Sequence, residues 1–114
     1  MDTYDPFNRL AIDYSKTRFK GAVVVCRLDL PFEKSEAVRE ALFNSKDDAK
    51  SQYQLFAKEI LIEWNLIDEK KKSIPATEAG ILLAPPALVK YAINTWGMAI
   101  WDVSAPLDDG STPG

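Results

Sequence analysis

Few residues in this sequence are of types that carry out chemistry. The chain contains no histidine and a single cysteine, Cys26. Without histidine, the usual Ser-His-Asp and Cys-His catalytic arrangements are excluded, and the commonest transition-metal ligand is missing. Cys26 lies on the apolar face of a strand-like stretch, so we predict that it is a buried packing residue and not a nucleophile. We therefore predict a protein that is not an enzyme and that holds neither a metal ion nor a cofactor.

Charged side chains form three short clusters, and we interpret each as solvent-exposed. Glu59 and Glu63 lie four residues apart, but no apolar surround is expected to raise their pKa values for acid–base catalysis. Asp108-Asp109-Gly110 offers too few oxygen ligands for a calcium loop. Lys70–Lys72 come just after a predicted helix, where the helix dipole favours cations. We therefore interpret this run as a loop and not as a nucleic-acid site.

Length and composition predict one globular domain. The chain has 114 residues, 46% of them hydrophobic, which is enough for one modest core. Its net charge is −3 and no basic face emerges, so we expect no nucleic-acid partner. The N-terminal residues are charged and lack an apolar signal segment, and no predicted helix suits a membrane span. We therefore expect a cytoplasmic protein without a membrane partner.

The longest stretch without glycine or proline runs from Ala49 to Ile67 and predicts a helix of about five turns. Residues at helical spacing define its core side, namely Tyr53, Phe56, Ala57, Ile60, Trp64 and Ile67. A second, narrower apolar stripe lies nearly opposite and consists of Leu55, Ile62 and Leu66. Because a surface helix needs one apolar side, the second stripe predicts either a helix buried between two layers or contact with another chain.

Three further helices are predicted, over Glu33–Phe43, Glu78–Leu83 and Pro86–Trp101. Thr77 is a candidate N-cap of the second, and Pro86 fits the first turn of the third. The third is apolar over most of its circumference, with a broad face formed by Leu88, Val89, Ala92, Ile93, Trp96, Ala99 and Ile100 and widened by Tyr91 and Met98. A chain of this size can hardly bury such a helix completely, so we predict that part of it is an interface.

The clearest strand lies over Ala22–Leu30, with Val24, Cys26, Leu28 and Leu30 on one face. It pairs either with Leu10–Tyr14 or with an edge of a second copy, which would make a homo-oligomer. We predict a mainly α fold with a small β element (α+β), in which an N-terminal strand or hairpin packs on a bundle of about four helices. The expected units are a partly ordered segment 1–20, one domain over 21–103 and a flexible tail over 104–114.

Three segments together resemble a known family, the small tail assembly chaperones of tailed bacteriophages and prophages. The segments are VVVCRLDLPF, EILIEWNLIDEKKKSIPATEAGILLAPPALVKYAINTW and APLDDGSTPG. The second contains the motif elements Glu63-Trp64-Asn65-Leu66, Ile74-Pro75-Ala76-Thr77 and Pro85-Pro86. The resemblance extends from about Gly21 to the C-terminus and rests on the order and spacing of these elements.

The resemblance implies a non-catalytic protein of the host cytoplasm that takes part in viral tail assembly. Members of the family are thought to coat the helical tape measure protein and to present it to the major tail (tube) protein, and they are expected to be absent from the mature virion. The alternative is a structural tail component that self-assembles into a ring. The apolar helix faces that we expect to contact a partner comprise Leu55, Ile62, Leu66, Tyr91, Trp96, Met98, Ile100 and Trp101.

Overall fold

The fold is described from a computed structural model of the chain, for residues 9–28 and 30–101. In chain order the described elements are β1 (Arg9–Asp13), β2 (Val23–Arg27), α1 (Phe32–Phe43), α2 (Ala49–Glu59), β3 (Leu61–Trp64), a 3-10 turn (Gly80–Leu83) and α3 (Pro86–Ala99). Residues 1–8 of the predicted N-terminal segment and all of the predicted tail over 104–114 lie outside the described residues.

The three strands form one antiparallel sheet in the order β1-β2-β3. The register places Cys26 between Leu10 on one side and Leu61 on the other, so the alternating apolar residues of all three strands share a core face. The prediction that β2 could pair with Leu10–Tyr14 is confirmed by the β1–β2 pairing. Because β2 is hydrogen-bonded on both sides, it offers no free edge to a second copy.

The opposite face of the sheet is less exposed to solvent than its charged residues suggest. Val25 points to the face opposite Val24 and Cys26, yet it is only 4% exposed. A salt bridge of 3.8 Å joins Arg9 of β1 to Glu63 of β3. Because these residues belong to the two outer strands, the ion pair connects them across β2.

The predicted helix over Ala49–Ile67 is wrong beyond its midpoint. Helix α2 begins at the N-cap Asp48, whose carboxylate accepts a hydrogen bond from the Ser51 amide, and this bond lowers the pKa of Asp48. The helix ends at Glu59, and the next residues form β3 instead of two further turns. A run of β-branched and aromatic side chains suits a strand, and pairing with β2 overrides the local helical periodicity.

The prediction of a bundle of about four helices is therefore wrong. The described residues contain three α-helices and a three-stranded sheet, which together make a small α+β domain. The segment predicted as a short helix over Glu78–Leu83 is a 3-10 turn over Gly80–Leu83. The N-cap of this turn is Ala79, without a side-chain hydrogen bond, so the prediction of Thr77 as the N-cap is wrong. The Thr77 hydroxyl accepts a hydrogen bond of 3.0 Å from the Gly80 amide, within the segment that leads into the turn.

Helix α3 covers the core face of the sheet. Its predicted broad face is confirmed for the buried residues Leu88, Val89, Ala92, Ile93, Trp96 and Ala99. Trp96 is fully buried, and its indole N–H donates to the Arg27 carbonyl at the end of β2 over 3.0 Å. Near the other end of the helix, the Tyr14 hydroxyl donates to the Leu88 carbonyl over 2.8 Å. These two bonds fix the position of α3 on the sheet.

The 3-10 turn packs so closely on the chain before it that one of its residues must be glycine. A Cβ atom at Gly80 would overlap the backbone carbonyl oxygen of Pro75, whereas one at Gly97 would meet the ring tip of Phe43 at 2.6 Å. The ring of half-exposed Phe43 can move aside at a small cost in free energy. Displacement of the Pro75 backbone carbonyl would distort the turn and costs more.

We therefore expect Gly80→Ala to lower the free energy of unfolding by at least about 2 kcal/mol, because the new methyl group overpacks a buried site. Gly97→Ala is the matched control. There, the gain in helix propensity of up to about 1 kcal/mol offsets the displacement of Phe43. Urea denaturation of both variants tests the expectation, and equal losses of stability would contradict it.

Candidate functional site

The ionisable and nucleophilic side chains of the described residues do not form a catalytic arrangement. Cys26 is completely buried in the sheet, which confirms that it packs in the core, and burial raises its pKa to about 12. Glu59 forms an ion pair of 2.9 Å with Lys34, and Glu63 belongs to β3 and pairs with Arg9. The two glutamates are thus not neighbours on one helix, and each faces a cation.

Metal ligands are not brought together in the described part of the chain either. No group of three or more histidine, cysteine or acidic residues lies close enough to hold a metal ion among residues 9–28 and 30–101. The acidic Asp108-Asp109-Gly110 segment falls outside these residues. No helix in the described ranges is long and apolar enough to cross a membrane.

The burial of Cys26 predicts an inert thiol. At about pH 8, close to the ordinary thiol pKa, the folded protein should react with iodoacetamide far more slowly than free cysteine does. The same protein in denaturant should react at the rate of an exposed thiol. Mass spectrometry of samples quenched at intervals measures both rates. A fast reaction of the native protein would show that the strand opens and that the thiol is accessible.

Surface-exposed apolar side chains are the most informative feature of the described structure. One group lies on the outer sides of α1 and of the C-terminal end of α3, and we call it the α1–α3 surface. It consists of Phe32 (70% exposed), Phe43 (41%), Met98 (70%) and Trp101 (55%). Monomeric proteins rarely leave several large apolar side chains together in water, so a group of this kind indicates a contact surface.

The α1–α3 surface is shaped by specific contacts between the two helices. The ring of Phe43 lies against Gly97, where the missing side chain lets α1 approach α3. The guanidinium of Arg39 lies 6.0 Å from the centre of the Trp101 ring, at the outer limit of a cation–π contact. A small depression of about 200 Å³ is lined by Leu30, Phe32, Ser35, Ile100 and Trp101. The surface is thus apolar and indented, with one cation beside its largest ring.

The predicted partner-binding residues are divided between several regions. Met98, Ile100 and Trp101 lie at the C-terminal end of α3, where Ile100 is half-buried. Trp96 is fully buried and is not available to a partner in this fold. Tyr91 is 38% exposed, but its hydroxyl donates to the Asp13 carbonyl and its ring packs beside Tyr14.

The second stripe predicted on the long helix does not exist as a surface. Leu55 belongs to α2 and packs half-buried against the core. Ile62 belongs to β3 and is 37% exposed, and Leu66 follows β3 in the next loop. Because the helix ends before Ile62, these three residues do not share one helical face.

Leu66 instead lines a larger depression, which we call the two-turn groove. The groove lies between the β1–β2 turn, the loop after β3 and the start of α3, and its volume is about 720 Å³. Its lining is Phe19, Lys20, Gly21, Ala22, Asn65, Leu66, Ile67, Asp68, Glu69, Lys70, Ile74, Leu83, Pro85 and Leu88. The apolar members form the wall and floor, while most of the charged ones come from the two turns.

Hydrogen bonds from side chains hold the two turns in place. Asn65 joins them directly, because its amide donates to the Gly21 carbonyl (3.1 Å) and its oxygen accepts from the Val23 amide (2.7 Å). The indole N–H of Trp64 donates to the Ile74 carbonyl over 2.6 Å and closes the base of the loop. Asp68 accepts from the amides of the two residues at 70 and 72, which fixes the turn itself.

Sequence reasoning did not identify Phe32, Phe43 or Leu83 as surface residues. Phe32 is 70% exposed and Leu83 is 69% exposed. The available signal was periodicity: Phe32 and Phe43 lie eleven residues apart, which is three helical turns, and so share a side of α1 that excludes the core residues Val38 and Leu42.

Comparison with known proteins adds no further constraint. No protein family, curated protein or solved structure was found to match this chain.

Because Asn65 joins the two turns, we expect its removal to lower the stability of the protein. Asn65→Ala removes two hydrogen bonds between separate loops and should lower the free energy of unfolding by about 1–2 kcal/mol. Hydrogen exchange at the Val23 amide should also become faster. Asn44→Ala is the control, since Asn44 makes one exposed side-chain bond to Glu40 within the same helix end. Equal effects of the two variants, or unchanged exchange at Val23, would contradict the assignment.

Proposed function

We propose that this chain is a non-catalytic assembly chaperone that holds an amphipathic helical segment of another protein against the α1–α3 surface. The observation that carries the proposal is the exposure of Phe32, Phe43, Met98 and Trp101, which range from 41% to 70% exposed. Covering a large apolar side chain contributes roughly 1.5–3 kcal/mol, so a partner that covers several of them gains enough to bind. Phe32 and Met98, which are each 70% exposed, contribute little to the stability of the folded monomer.

The shape of the surface favours a helical client. Two α-helices, α1 and α3, present side chains along their lengths with a depression between Phe32 and Trp101. An amphipathic helix places anchors at i, i+3, i+4 and i+7 and can fit such a surface. Trp101 is well suited as an anchor, since tryptophan dominates the energetics of many interfaces.

The resemblance of the sequence motifs gives the identity of the proposed client. In tail assembly chaperones of bacteriophages, the client is the tape measure protein, which is later presented to the major tail (tube) protein. The complete lack of histidine agrees with a non-catalytic role. In this proposal the protein acts in the host cytoplasm and is left out of the mature virion.

Co-expression with the tape measure protein of the same phage genome tests the proposal. The wild-type chain should keep the tape measure protein soluble and should be recovered with it. Phe32→Ser combined with Trp101→Ser should weaken the complex at least about tenfold, because each removes an exposed apolar anchor. Ile62→Ser is the control, since it removes an exposed apolar side chain from the sheet and not from the helices.

Two outcomes would count against the proposal. If the tape measure protein remains insoluble beside the wild-type chain, the chain does not act as its chaperone. If the protein is found in stoichiometric amounts in purified virus particles, it is a structural component, which is the alternative assignment. Both measurements are independent of enzymatic activity.

A further inference from the structure

The two-turn groove differs in charge from the rest of the molecule. The β1–β2 turn contains Lys16, Arg18 and Lys20 and no carboxylate, although the whole chain has a net charge of −3. The loop after β3 contributes the three lysines Lys70–Lys72 beside two acidic residues. Six of the fourteen cations of the chain thus lie in two short turns that border one groove.

The two acidic residues of the groove lining, Asp68 and Glu69, offset only part of this charge, because the two turns together contain six cations and two carboxylates. The carboxylate of Asp68 accepts hydrogen bonds of 2.8 and 3.0 Å from amides within its own turn, so it is engaged by the backbone. Within the described part of the chain, neither Lys20 nor Lys70 forms a salt bridge, and both are exposed. Glu69 is the remaining acidic member of the lining.

The groove also presents apolar surface to solvent. Ile67 is 56% exposed and Leu83 is 69% exposed, and both face the groove together with half-buried Phe19 and Leu66. The guanidinium of Arg18 lies 5.0 Å from the centre of the Phe19 ring, which brings a cation to the apolar wall. A volume of about 720 Å³ has room for several side chains.

We propose that the two-turn groove docks a segment of a partner protein that combines acidic with large apolar side chains. The apolar members would lie on the wall formed by Ile67 and Leu83, and the carboxylates would face Lys20 and Lys70 at the rim. A nucleic acid fits the site less well, because exposed Ile67 and Leu83 form an apolar wall that offers nothing to a phosphate backbone, and Phe19 is the one aromatic ring in the lining on which a base could stack. The groove shares no residue with the α1–α3 surface, and this inference does not depend on the proposed function.

An unbiased selection tests the proposal. Random peptides of about 16 residues, displayed on yeast, are sorted for binding to the full chain, and the length allows about four helical turns. The enriched peptides should combine Asp or Glu with Leu, Ile, Phe or Trp, and their affinity should fall as NaCl rises from about 50 to about 500 mM. No enrichment, or enrichment of basic or uncharged peptides, overturns the proposal.

Variants locate the binding of the enriched peptides. Lys20→Glu combined with Lys70→Glu should weaken binding at least about tenfold by fluorescence anisotropy. Lys46→Glu combined with Lys58→Glu changes the net charge equally, away from the groove, and should have much less effect. Leu83→Ser tests the apolar wall and, because this side chain is largely exposed, should leave the fold intact. Equal losses in the two lysine pairs would show a non-specific charge effect and reject the groove.

Three further measurements separate this site from its alternatives. Trp101→Ser should leave peptide binding unchanged, so failure of the chaperone proposal and failure of the groove proposal are distinguishable. A single-stranded RNA that competes with the peptides and loses affinity in the Lys20/Lys70 variant would replace the protein partner with nucleic acid. A dimer that dissociates on Leu83→Ser in sedimentation velocity would identify a second copy as the occupant. Either result would overturn the proposed acidic partner.

Discussion

The packing of α3 on the sheet is the contact on which the rest of the structure depends. Trp96 is completely buried at this contact, and its indole donates to the Arg27 carbonyl, while the Tyr14 hydroxyl reaches the Leu88 carbonyl from the other side. A buried polar group without a partner would be costly, so these bonds favour one position of the helix over neighbouring ones. This contact also determines which apolar side chains are buried when the chain folds. What remains outside, at the C-terminal end of α3 and on α1, is available to a partner.

Periodic patterns of apolar residues predicted a helix or strand correctly where the apolar side of the pattern is also the side that packs against the rest of the fold. The buried face of α3 was predicted correctly, and so were the core residues Val24 and Cys26 of β2. Val25, on the other face of β2, is buried as well and was not predicted as a core residue. The stretch over Ala49–Ile67 was predicted wrongly because Ile60, Leu61 and Ile62 suit a helix and a strand equally well. The choice is made by a distant requirement, since β2 needs a partner on its second side. The periodicity of the local residues does not show that β2 needs a second pairing partner.

The same physical reason explains which surface residues could be predicted. Met98 lies at the edge of the broad face predicted for α3, and its exposure agrees with helical geometry. Trp101 comes after Ala99, where the helix ends two residues earlier than predicted. The two-turn groove combines Lys20, Asn65 and Leu83, which are far apart in the chain and meet through loop contacts. Several motif residues behind the family resemblance have structural roles here, such as Asn65 between the turns and Thr77 before the 3-10 turn. These residues stabilise this fold, so their presence does not by itself identify a client.

The side chains that form the core of this domain and the exposed apolar side chains that we propose as contacts to partners are largely different, so the proposed contacts can be changed without loss of the fold. Core residues such as Phe56 and Ile60 cannot be changed without loss of the fold, because their surroundings are close-packed. Phe32, Leu83 and Met98 are each about 70% exposed, so their contribution to the stability of the monomer is small. Their exposure costs solubility and therefore requires an explanation outside the monomer. An apolar helical surface at one place and an apolar groove with a basic rim at another differ in the partner chemistry that they select, and this difference favours two occupants over one.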